Sequence, residues 1–108
     1  MFFFIMGKVS IYTDLLTTEN FGMCSKFIIS VIRSGCEHFG SYTFTCRQAL
    51  KYSEYAFKEE NLNNCYNNLV EMGIVIREPS SFENEEGETF ASHIDRINEE
   101  KLKKMLSV

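Results

Sequence analysis

The sequence predicts an α+β domain in which three helices are followed by a β-hairpin and a closing C-terminal helix. Three observations carry that expectation. Residues 23–36 and 58–72 each repeat apolar side chains at three- and four-residue steps, the spacing of a single helix face. Gly73 then stops the second of these helices and leads directly into the β-branched run Ile74, Val75, Ile76. A chain of 108 residues with 44% hydrophobic content can build one core but not two. The expected parts are an N-terminal arm over 1–22, a central domain over 23–94 and a C-terminal helix over 95–108.

Taken in order, the arm mixes an aromatic run with partial alternation at Val9, Ile11 and Leu15, which suits strand and helix equally. The first scaffold helix then sets Cys24, Phe27, Ile28, Val31, Ile32 and Cys36 in one stripe, with Lys26, Ser30 and Arg33 facing away. Gly35 and Gly40 bracket its exit, and residues 42–44 suit a short strand. Thr45 followed by Gln48 has capping-box spacing, so a short helix is expected over 46–53 with Ala49 and Leu50 inward. The third helix has no good N-cap, but Glu59 and Glu60 in its first turn complement the macrodipole. A strand follows over 74–78, closed by Pro79, with a polar loop over 80–87 and a return strand over 88–94. In the tail, Leu102, Met105 and Leu106 fall at helical spacing, for packing back on the domain or pairing with a second subunit.

Composition narrows the function. A net charge of −4 argues against a protein that wraps nucleic acid, because most non-specific affinity comes from neutralised phosphates. The cysteines at 24, 36, 46 and 65 lack close pairs, and with His38 and His93 they make too diffuse a set for zinc. Buried free thiols are the expectation, with a bridge between Cys36 and Cys46 as the alternative. The apolar run at the start ends at Gly7 and Lys8, so neither a signal peptide nor a membrane span is expected, and the chain reads as cytoplasmic. There is no phosphate-cradling glycine loop, no G-x-S-x-G and no H-E-x-x-H, and His93 is expected on a strand facing solvent or a neighbour. The sequence therefore predicts no enzyme, no catalytic residue, no metal and no cofactor.

The third helix is the most informative stretch. Leu62, Cys65, Tyr66 and Leu69 share one face, while Glu60, Asn64, Asn67, Asn68 and Glu71 fall opposite. Asparagine is a mediocre helix former, so propensity does not explain the crowding. An amide offers both a donor and an acceptor and can match the N6/N7 edge of adenine. A solvated polar face is the other reading of the same pattern.

The element order, with Leu50, Leu62, Leu69 and the closing MGIVIRE, resembles the winged helix-turn-helix family of small prokaryotic and viral DNA-binding proteins over residues 23–94. The resemblance implies that the helix before the hairpin enters the major groove and that the hairpin tip, or wing, lies along the flanking backbone. Carried over by position, Glu60, Asn63, Asn64, Asn67 and Asn68 would face the groove, with Lys58 near phosphates. Basic residues around the helices, Lys26, Arg33, Arg47, Lys51 and Lys58, and in the tail, Lys101, Lys103 and Lys104, would cradle the duplex, Arg47 and Lys51 among the DNA-contacting set. The wing departs from that pattern. The wing would be residues 80–88, and from Glu78 to Asp95 the hairpin carries six acids (Glu78, Glu83, Glu85, Glu86, Glu88, Asp95) and no lysine or arginine, a charge that phosphate repels.

Two functions stand on this reading. One is a sequence-specific regulator that binds double-stranded DNA as a homodimer, paired through Phe2, Phe3 and Phe4 or through Leu102, Met105 and Leu106. The other is a winged-helix adaptor that binds a protein partner through its acidic wing and leaves DNA alone.

Overall fold

The computed structural model describes residues 3–6 and 9–107, with side chains from Ser10 onward. The chain runs β1 (Phe3–Met6), β2 (Val9–Tyr12), α1 (Thr13–Leu16), α2 (Met23–Phe39), α3 (Cys46–Tyr52), α4 (Glu59–Glu71), β3 (Val75–Glu83), β4 (Thr89–Ile97) and α5 (Glu99–Leu106). It is an α+β fold with two antiparallel pairs, β1 with β2 and β3 with β4. The arm that suits strand and helix equally is a hairpin plus one helical turn. Phe2 lies outside the described residues, and for Phe3 and Phe4 only the backbone is described.

Helix α2 is the axis of the core, and it is buried on more sides than its stripe implies. Phe27, Ile28, Ile29 and Ile32 are fully buried against β2, α4 and β4. Lys26 and Ser30 were expected to face away, yet both are buried. The cause is the N-terminal segment, which lays Ile11 and Leu15 over that side. Ser30 Oγ accepts from Tyr12 N at 3.4 Å, and Lys26 Nζ donates to the Leu16 carbonyl at 3.4 Å. Arg33 is likewise covered: its guanidinium grips Asp14 of α1 at 3.0 and 3.2 Å and Glu99 of α5 at 3.0 and 2.6 Å. One cation thus fastens both flanking segments to the axis.

Gly35 does not end this helix. It sits within the last turns, where the Tyr42 ring occupies the space that a Cβ would need. Gly40 is the terminator, at φ 82°, with its N–H returning to the Cys36 carbonyl. In α3, Thr45 caps Gln48 N at 3.3 Å and Ala49 is buried, as the spacing predicts. In α4 the buried residues are Leu62, Tyr66 and Leu69, and Gly73 follows at φ 78°. Lys58 stands at the N-cap without a side-chain cap bond.

The hairpin is longer than predicted, because β3 continues through Pro79 to Glu83 and β4 extends to Ile97. Pro79 pairs with His93. The His93 carbonyl accepts from Thr43 Oγ1 at 2.7 Å and Asp95 N donates to the Tyr42 carbonyl at 2.7 Å, so these β4 residues turn their polar groups away from β3. Pro79 therefore sits at a site where its missing N–H would point to the open edge, which is why the strand tolerates it. The loop shrinks to residues 84–88. Asn84 Oδ1 gathers the N–H groups of Glu86 and Glu88 at 3.0 and 2.9 Å, and Gly87 turns at φ 82°.

The C-terminal helix packs back on its own domain. Leu102 is buried and Met105 and Leu106 lie against the core, so the tail's apolar stripe is already covered.

Candidate nucleic-acid interface

Helix α4 is anchored by a buried polar knot. The Asp95 carboxylate, fully buried, accepts the Tyr66 hydroxyl at 2.5 Å and Phe44 N at 2.9 Å. The Tyr66 ring stacks on Phe44 with centroids 4.8 Å apart. His93 Nε2 stands 2.9 Å from Asp95 Oδ2, so of the two expected orientations His93 takes the one that faces a neighbour. Asp95 thus ties the strand segment at Tyr42, α4 and β4 together. It is a structural acid, and the wing's surface charge has one carboxylate fewer than the sequence count implies. Burial, then the bond to Asp95, push the Tyr66 hydroxyl well above the ordinary tyrosine range.

With Leu62, Tyr66 and Leu69 held inward, Glu60, Asn63, Asn64, Asn67 and Asn68 are all exposed on α4. Asn63 Oδ1 accepts from Cys46 Sγ at 3.9 Å, which sets the start of α3 beside the middle of α4. Among the described residues, nothing engages the side-chain amides of Asn64, Asn67 or Asn68. Arg47 and Lys51 are exposed one turn apart on α3, and Lys58 is exposed at the start of α4. Lys26 and Arg33 drop out of the basic set, the one buried and the other held by two carboxylates. Across residues 46–72, Arg47, Lys51 and Lys58 face Glu54, Glu59, Glu60 and Glu71, so the surface is close to neutral.

The cysteines are free thiols, so the bridge between Cys36 and Cys46 is absent. Burial, with the Cys24 thiol donating to Cys65 next, pushes Cys24 up to about 12, and burial also raises Cys36 and Cys46. Thiols held protonated in this way are poor nucleophiles and poor metal ligands. Among the described residues, no group of three or more His, Cys, Asp or Glu side chains is arranged to hold a metal ion, and no helix is long and apolar enough to cross a membrane.

Sequence reasoning missed one surface feature. Phe82 and Phe90, paired across the ribbon, stack with centroids 5.2 Å apart and are 55% and 42% exposed. Their shared spacing from the hairpin tip was the available signal, but Phe82 lay inside the stretch read as loop while Phe90 lay in the predicted return strand. No known family's model matches this sequence, and no curated protein matches it either.

Proposed function

We propose that the chain is a winged helix whose α4 reads the major groove of double-stranded DNA, working as a pair of copies on a palindromic site. The order α2, the Tyr42 bridge to Asp95, α3, α4 and the β3–β4 ribbon supports the winged-helix reading. The observation that carries the functional reading is the outward row Asn64, Asn67 and Asn68, amides with no partner among the described residues on a helix whose other face is locked into the core. Arg47, Lys51 and Lys58 supply phosphate contacts. With three cations in contact with phosphate, the salt slope of binding is shallow, about −3 in log K against log salt. The acidic wing stays off the backbone. Two copies are invoked because one short helix covers few base pairs, and α5 is not the contact between them, since Leu102 is spent on its own core.

The test is selection of a preferred duplex by the purified protein, followed by affinity measurements on variants. Asn64→Ala or Asn67→Ala should weaken the preferred site by about 1–3 kcal/mol and spare random DNA. Lys51→Ala or Lys58→Ala should weaken all sequences alike and flatten the salt slope. Sedimentation of the intact chain at micromolar concentration should give a dimer. Failure to select any sequence at low salt would sink the DNA reading and leave the protein-interaction one.

A further inference from the structure

The ribbon tip carries an apolar pair inside a ring of carboxylates. Phe82 and Phe90 lie directly opposite each other, and strand alternation puts them on the ribbon face away from Asp95 and His93. The turn beyond them holds Glu85 and Glu86, with Glu83 and Glu88 at its base, all exposed. On the same face nearer the domain, Arg96 is paired with Glu78 at 3.0 Å, so it does not offset the tip. The turn is rigidly built by the Asn84 side chain and Gly87, which holds this constellation in place.

Two stacked phenylalanines this exposed are expensive to leave in water and are not needed to close the hairpin, which Asn84 already does. Charge selects the occupant. DNA is repelled by the four glutamates, and a second tip would bring like charges face to face. We propose that the tip docks a basic segment of another protein, one that places an apolar side chain on Phe82 and Phe90 and flanks it with lysine or arginine against Glu85, Glu86 and Glu88. Aromatic anchors supply most of the affinity in such contacts, and the charged rim sets partner choice and encounter rate. The inference does not depend on DNA binding by α4.

The full chain is titrated with three synthetic peptides: one leucine between pairs of lysines, the same peptide with serine for leucine, and the same with glutamates for lysines. Backbone amide resonances report the site. The lysine–leucine peptide should shift resonances of residues 80–90, lose affinity as salt rises, and bind at least about ten-fold better than either control. Phe82→Ser with Phe90→Ser should abolish binding, and Glu85→Gln with Glu86→Gln, which leaves the ribbon's apolar pair intact, should weaken it several-fold. DNA affinity of the Phe82→Ser, Phe90→Ser protein should be unchanged. Equal binding by the serine peptide, shifts confined to α4, or self-association of the parent chain that the double serine variant removes would each overturn the proposal.

Discussion

Removing the Asp95 carboxylate tests whether the buried knot holds α4 to the sheet. In the folded chain Asp95 Oδ1 takes the Tyr66 hydroxyl at 2.5 Å and Oδ2 takes Phe44 N at 2.9 Å. Asp95→Ala leaves both donors buried without an acceptor, at about 1–3 kcal/mol each, for a total of about 2–6 kcal/mol. Asp95→Asn behaves differently. Its carbonyl can keep Phe44 N, while its NH2 donates to the Tyr66 oxygen once that hydroxyl reverses. What is lost is charge assistance, about 1 kcal/mol. Urea unfolding followed by circular dichroism reads the difference as a midpoint shift at constant slope. An alanine variant within about 1 kcal/mol of the parent, or an asparagine variant as damaged as the alanine one, would refute the reasoning.

Leu69→Ala should cost about 2–5 kcal/mol in the same urea assay, because Leu69 is 1% exposed at the centre of the α4 core face; an unchanged midpoint would show that this face bears little load. Gly73→Val should lower the melting temperature, since φ is 78° and a Cβ there would lie 2.8 Å from Lys101 Nζ; a neutral outcome in a thermal scan would remove the left-handed cap from the account. Alkaline titration should unfold the protein. Burial, then the bond to Glu37, raises Tyr12 to about 12, and burial raises Tyr42 to about 12, both from 10.0. Folded values above unfolded ones mean that this stability is intact below pH about 10 and is lost as pH rises through about 12, a loss that Tyr42→Phe should reduce. Because the Tyr42 hydroxyl is buried without a partner among the described residues, the same variant should be neutral or stabilising at pH 7 by thermal melt.

Local chemistry explains what was legible in the sequence. The faces of α4 follow from 3.6-residue periodicity, and its end from a glycine that alone accepts a positive φ cheaply; both are decided within a few residues. The exposure of Asn64, Asn67 and Asn68 was legible for the same reason. Lys26, Ser30 and Arg33 were not, because their burial depends on a hairpin that precedes them and on Glu99 far downstream. Pro79 read as a stop because its tolerance depends on which way β4 turns its carbonyls, a fact of pairing. Asp95 counted as surface charge because composition records a carboxylate but not the Tyr66 hydroxyl that meets it.

The proline inside β3 also bears on how crowded copies of this chain behave. The outer edge of β3 is unpaired in a two-stranded ribbon, and nine-residue strands are long enough to template an incoming strand. At Pro79 that edge offers ring carbons where an N–H would stand, so a strand docking there meets an unanswered carbonyl and a steric block. Repulsion between glutamate-rich tips acts against the same event further out. The edge is thereby guarded at its middle by a missing donor and at its end by charge, and Pro79→Val should convert a well-behaved ribbon into a nucleus for sheet-like aggregates.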